Sequence, residues 1–247
     1  MTTFKCIKCN SDFKLRTNKY LMALVTPRYC FSCVEIEQKL EKKTKKLEEL
    51  NNRIAISSIG NYSIERAKQT INTFSWQNKA LKFIKEFKSI KKQKLPYLWG
   101  GVGTGKTHLA IILAYRIMKN LETQVLFSTA SELIKMAIED KTLFNKFKLA
   151  YHPIIIDDLG NHTINQWSIE KIYEIINHRL QNNLPTSFTS NFNPIKLEGR
   201  LLEFSKGTID NVLSQAITDR LLELCTPLKV DGDSVRKIMF KDTNKKN

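Results

Sequence analysis

Between residues 95 and 114 the chain reads Leu95-Pro96-Tyr97-Leu98-Trp99, then Gly100-Gly101-Val102-Gly103-Thr104-Gly105-Lys106-Thr107, then His108-Leu109-Ala110-Ile111-Ile112-Leu113-Ala114. A short apolar run, a glycine-rich octet and a longer apolar run form a strand, a loop and a helix in that order. Glycines let the backbone curl with its N–H groups turned inward, and a helix opening near Gly105 points its positive end at the same spot. The pattern is that of a P-loop and predicts an α/β fold built on a parallel sheet. Lys106 is expected to reach the β- and γ-phosphates of ATP, and the Thr107 hydroxyl to ligate magnesium. Gly100, Gly101, Val102, Gly103, Thr104, Gly105 and His108 complete the expected nucleotide-contacting set.

A second element has the same logic. His152-Pro153 leads into Ile154-Ile155-Ile156-Asp157-Asp158-Leu159-Gly160. An unbroken β-branched run is what a strand covered on both faces requires, and ligands of open α/β sheets lie at the carboxyl ends of the strands. Read as a Walker B element, it gives Asp157 to the magnesium shell and Asp158 to the attacking water. Further strands are expected at Gln124–Ser128 and Leu184–Asn191, and helices at Thr73–Phe87, Ala130–Ala150, Ser168–Gln181 and Ile217–Leu224. Asn191, just past its strand, is either a sensor of the γ-phosphate or a turn-forming asparagine before Asn193-Pro194. Leu228–Lys237 reads as strand, turn and restart. Arginine carries a fixed fork suited to phosphate oxygens, so Arg220 and Arg236 are the charge-stabilising candidates. Cys225 reads as a small core residue.

The N-terminus sets Cys6-Ile7-Lys8-Cys9 and Cys30-Phe31-Ser32-Cys33 twenty residues apart. Two Cys-x-x-Cys pairs are the ligand spacing of a closed tetrahedral Zn2+ site, structural or partner-binding; two disulfides or free thiols are the other readings. From Val34 to Ile54 the chain is rich in Glu, Lys and Leu at helical spacing, an amphipathic linking helix. Ser57-Ser58-Ile59-Gly60-Asn61 is expected to end it.

Forty Lys plus Arg against twenty-four Asp plus Glu leave a formal charge of +16, an excess that favours a polyanionic partner. No apolar run reaches the roughly eighteen residues of a membrane span and no signal-peptide apolar region opens the chain, so a cytoplasmic protein is expected.

The order of P-loop, Ile-Ile-Ile-Asp-Asp-Leu-Gly, Thr-Ser-Asn and late arginines resembles the AAA+ ATPases. Within them it is similar to the helicase loaders of the DnaC and DnaI type and to the IstB transposition ATPases, over roughly Thr70 to Phe240. The resemblance implies Asn191 as sensor 1, Arg220 as the arginine finger offered to a neighbouring subunit, with Arg200 as its substitute, and Arg236 as sensor 2. It also implies self-association, single-stranded DNA binding, and a DnaB-family replicative hexameric helicase as partner; Asp158, one methylene shorter than the glutamate most AAA+ enzymes carry there, leads to an expectation of slow ATP hydrolysis. The zinc-binding module ahead of the ATPase resembles the DnaI-type loaders, which gives residues 1–34 as helicase-interaction module, 35–69 as helical linker, 70–241 as AAA+ domain and 242–247 as a disordered tail. A transposase-assisting ATPase on duplex DNA and a non-catalytic helicase-binding adaptor are the alternatives.

Overall fold

The computed structural model describes residues 2–15, 28–73, 79–203, 208–232 and 234. Two compact units emerge, Met1–Asn51 and Asn52–Asn247. In the first, β1 (Thr2–Lys5) and β2 (Asp12–Leu15) pair antiparallel with Phe4 opposite Phe13, their ring centroids 5.9 Å apart. Asn10, at φ 60°, turns the chain between them, and the Cys6 N–H donates to Ser11 O at 2.9 Å. Helix α1 (Phe31–Ile56) starts directly after Cys30, so Cys33 stands on its first turn, earlier than the Val34 start expected from periodicity. The hairpin was not legible in sequence, because its four-residue strands are short and mostly exposed.

The second unit is a five-stranded parallel sheet in the order β4-β5-β6-β3-β7, formed by β3 (Pro96–Trp99), β4 (Leu126–Thr129), β5 (Ile154–Leu159), β6 (Thr186–Ser190) and β7 (Thr226–Lys229). Alternation along the strands sends Ile154 and Ile156, with Tyr97 and Phe188, into one apolar core. That core is shared with α5 (Ala130–Glu139), α6 (Lys141–Leu149), α7 (Gln166–Gln181), α8 (Pro194–Leu202) and α9 (Thr208–Leu224). Helix α4 (Lys106–Asn120) buries Leu109, Leu113 and Ile117 outside that core and carries α2 (Asn61–Thr73) and α3 (Lys79–Glu86) against it. Helices therefore cover the parallel sheet, as expected. Among the described residues no helix is long and apolar enough to cross a membrane.

Two local differences from the sequence reading have identifiable causes. The expected helix over Ala130–Ala150 is broken at Asp140, whose N–H closes α5 on Met136 O while its carboxylate accepts from the Leu143 N–H to open α6. Asn165 caps Ser168, so α7 begins at Gln166. As expected, the stretch beginning at Ser57 ends α1, and residues 57–60 form a turn between two helices. Ser57 Oγ donates to Ile54 O at 2.6 Å, Ser58 and Gly60 take positive φ, and α2 follows at once. Residues 74–78 of the helix expected over Thr73–Phe87, residues 235–237 of the expected restart, and the 242–247 tail lie outside the described residues.

One charged residue belongs to the core. Arg179 on α7 is fully buried and makes five hydrogen bonds, all to neutral oxygens: Thr186 Oγ1 and the carbonyls of Lys148, Ala150, His152 and Pro185. Burial holds its pKa below the usual arginine range, and the guanidinium ties the entry of β5 to the entry of β6. Arg179→Ala is expected to lower stability by at least about 3 kcal/mol in urea unfolding, because several buried acceptors lose their donor at roughly 1–3 kcal/mol each. Arg179→Lys will recover little of it, since one ammonium cannot reach the five acceptors that the fork spans. Wild-type stability for either variant would contradict this account.

Candidate nucleotide site and cysteine centre

β6 stands between the P-loop strand β3 and the Walker B strand β5, so both motifs are stitched to its carboxyl end. The Gly100 N–H donates to Ser190 O at 3.3 Å, and Ser190 Oγ donates to Leu159 O at 2.7 Å. Gly100 also passes so close to β7's exit that a Cβ there would sit 2.3 Å from Val230 O, which only glycine allows. Ser234 lies against Gly103, where an added Cβ would sit 2.3 Å from Ser234 Oγ. Thr104 Oγ1 donates to Gly101 O at 3.0 Å, and Gly105, at φ 91°, opens α4. Lys106 is buried and its Nζ donates to Gly100 O and Gly101 O at 3.0 and 2.7 Å. Its ammonium thus lies inside the loop, where phosphate oxygens could replace those carbonyls. Val102 is exposed at the loop tip and His108 half-buried on the first turn of α4.

The structure brings Thr107 and Asp157 together: Thr107 Oγ1 lies 3.1 Å from both carboxylate oxygens. A hydroxyl and a carboxylate so placed can share a divalent cation of oxygen-ligand type. Asp157 is buried and is pushed above the usual carboxyl range, first by desolvation and further by the Asp158 charge, against the hydrogen bonds from Thr189 and Thr107. An acid whose folded pKa is raised stabilises the fold least when ionised, so stability is lost as pH rises above the ordinary value of 3.8. Asp157→Asn is therefore expected to exceed wild type in thermal midpoint at neutral pH, with the gap closing toward acid. A gap independent of pH would refute the assignment.

Asp158 follows in a β-bulge between Ile156 and Leu159 and takes φ 58°, which turns its side chain out to solvent. Left-handed backbone at a non-glycine residue costs on the order of 1 kcal/mol. Asn161 Nδ2 donates to its Oδ1 at 3.2 Å. Gly160, at φ 87°, completes the turn; a Cβ there would meet Leu197 Cδ1 at 2.8 Å. Gly160→Ala is expected to destabilise the protein by about 1–3 kcal/mol, read from its thermal midpoint, through backbone strain and that clash.

Asn191 sits half-buried just past β6 and its side chain makes no hydrogen bond with the described residues, whereas Thr189 and Ser190 before it do. Those two were invisible as site residues because serine and threonine in a buried strand carry no distinctive spacing. Arg220 on α9 donates to Asn177 Oδ1 at 2.9 Å and Ala216 O at 3.3 Å and lies 5.0 Å over the Tyr173 ring, all within its own chain. Arg200 donates to Glu203 near the end of α8. Arg236 lies outside the described residues.

In the first unit the sulfurs of Cys6, Cys9, Cys30 and Cys33 all lie within 4.8 Å of one another, with Cys9 and Cys30 at 3.6 Å. The five cysteines are free thiols. A disulfide needs about 2.05 Å, whereas a tetrahedron of thiolates around zinc has edges of about 3.8 Å for bonds of 2.3 Å. The spacing fits the second. The Cys30 N–H, 3.3 Å from Cys6 Sγ, draws that thiol down to about 6, while the crowding thiols of Cys30 and Cys9 push Cys33 up to about 12. Held as four thiolates at this spacing, they would need a cation between them.

A family profile described as IstB-like ATP binding protein matches residues 34–242. The chain is 26% identical over 159 residues to the Replicative helicase loader DnaI of Bacillus subtilis (strain 168), covering 62% of this chain and 51% of that protein. It is 29% identical over 152 residues to an ATP-binding protein of insertion sequence IS21 from Pseudomonas aeruginosa, covering 60% and 54%. It thus spans about half the length of the curated relatives it matches. Among solved structures, a DnaI crystal structure superposes with TM-score 0.50 and 27% identity over 63% of this chain and 79% of that one. The DnaC helicase loader superposes at 0.52 and 19% identity over 67% and 99%, a likeness of fold. The sheet order and the helices around it are those of an AAA+ P-loop NTPase, and the chain belongs to the IstB-like ATP-binding protein family.

Proposed function

We propose that this protein is a cytoplasmic, ATP-dependent loader that delivers a DnaB-family replicative hexameric helicase to single-stranded DNA. The observation that carries the reading is the order of parts: a four-thiol centre with metal-site spacing stands ahead of the residues that match an ATP-binding family. Zinc suits that donor set, and a closed site leaves it a structural or partner-gripping role. In this reading residues 1–34 grip the helicase, 35–69 link, and 70–241 bind ATP and, through basic residues, single-stranded DNA. The charge of +16 and the similarity to a protein named as a replicative helicase loader support it.

Lys106 exchanges the carbonyls of Gly100 and Gly101 for the β- and γ-phosphates. Thr107 and Asp157 hold magnesium, Asp158 orients the attacking water, and Asn191 senses the γ-phosphate. Arg220 is the finger and Arg236 the second sensor. To reach a neighbouring subunit Arg220 must let go of Asn177 and Ala216, so finger engagement is coupled to self-association. The carboxylate at 158 is one methylene shorter than a glutamate, which suits slow hydrolysis used as a timer.

The test is co-purification of the full chain with a purified DnaB-family helicase, with and without a zinc chelator, followed by ATP turnover with single-stranded DNA. Capture that requires the metal, together with DNA-stimulated turnover, is the expected result. Capture without any turnover would leave a helicase-binding adaptor instead. The 29% identity to the IS21 protein favours a second reading, a transposition ATPase. Indifference to helicase with preference for duplex DNA would establish that one.

A further inference from the structure

Thr189 is fully buried on β6, midway between the two motif strands, and the reading above gives it no role. Its hydroxyl proton goes to Asp157 Oδ1, and its oxygen accepts the Asp158 N–H at 3.0 Å. A threonine hydroxyl has one proton and two lone pairs, so it makes both contacts at once. It is thus the only side chain among the described residues shown bonded both to the Asp157 carboxylate and to the Asp158 backbone.

We propose that Thr189 is a positioning residue that couples the two Walker B carboxylates. By donating to Oδ1 it fixes the rotation of the Asp157 carboxylate beside Thr107. By accepting the Asp158 N–H it holds that residue in the left-handed bulge that lifts its side chain out of the sheet. Partners one shell out from a metal ligand set the ligand's orientation, and their loss typically weakens metal affinity or activity about 10–100-fold. Thr189 differs from such a partner in one respect: the same hydroxyl also sets the neighbouring residue's backbone. Disturbing it should therefore impair the cation site and the water-orienting carboxylate together.

The inference rests on the magnesium-nucleotide reading of the site, and its test separates the two. ADP binding is titrated calorimetrically with and without Mg2+, and ATP turnover is followed against Mg2+ concentration, for wild type, Thr189→Val and Thr189→Ser. In Thr189→Val the gain in ADP affinity conferred by Mg2+ should shrink about tenfold or more. The Mg2+ needed for half-maximal turnover should rise correspondingly, and kcat should fall with little change in KM for ATP. Thr189→Ser, which keeps the hydroxyl, should stay near wild type in every readout. Wild-type Mg2+ dependence in Thr189→Val overturns the proposal, as does a serine variant as impaired as the valine one, which would point to packing of the methyl group. A wild-type protein whose ADP affinity ignores Mg2+ overturns instead the reading of the site. Should Thr189→Val fail to fold, Thr189→Ala serves in its place. Hydrogen exchange of the Asp158 amide in the wild-type protein is an independent check: it should be protected, and rapid exchange contradicts the proposal.

Discussion

Lys106→Ala is expected to lower ATP turnover at least about a hundredfold, the scale on which one well-placed charge acts on a developing oxyanion, with a smaller loss of thermal midpoint than Arg179→Ala, since two acceptors rather than five lose a donor. The side chain already lies within the P-loop, bonded to Gly100 O and Gly101 O, and no apolar contact of the core depends on its ammonium. The substitution should therefore separate the two halves of the proposed function. Helicase capture by the first unit persists, and ATP-dependent delivery to DNA stops. Delivery at the wild-type rate would sink the loader mechanism, because it would show that the phosphate site does no work in it.

Removing the proposed zinc should have the larger structural effect. Among the described residues, the cluster at the foot of the hairpin is Cys6, Cys30 and Cys33 with Phe13 packed on them, so the four thiols themselves hold β1, β2 and the start of α1 together. Structural zinc supplies on the order of 10 kcal/mol or more in apparent terms to such modules. Chelation, or Cys6→Ser, is expected to abolish protection of the β1–β2 amides in hydrogen exchange and to eliminate helicase capture. Amides of β5 and β6 should keep their protection, since their ladder lies in the other unit. Retained β1–β2 protection after complete metal removal would show that the hairpin folds on its own.

Sequence patterns announced some parts of this molecule and hid others for physical reasons. The P-loop was legible because its glycines answer to backbone geometry, as the approach of Gly100 to Val230 demonstrates. The Walker B strand was legible because burial on both faces demands an unbroken run such as Ile154-Ile155-Ile156. Helix α2 fell largely within the helical linker expected over 35–69 but was not separated from α1, because among its described residues Ile64 and Ala67 alone are buried. Asp140 was missed because one residue ends one helix and begins the next, so apolar periodicity alone runs through it. Thr189 and Arg179 were missed for a shared reason. Each acts through hydrogen bonds to residues distant in sequence, and pairings of that kind leave no local spacing to read.

The sheet order also has a consequence for how the protein is made. Strand β3, which ends in the P-loop, pairs only with β6 and β7, and Ser187 Oγ reaches Pro96 O across 91 positions of sequence. As the ribosome delivers the chain N-terminus first, the P-loop strand emerges with neither neighbour available. Such non-local pairing is slow to form and leaves strand edges open meanwhile. A nascent chain halted before Thr186 carries every residue of the P-loop and Walker B motifs yet has no strand to join them. Competence to hold nucleotide should therefore appear late in synthesis and abruptly, when β6 slots between the two.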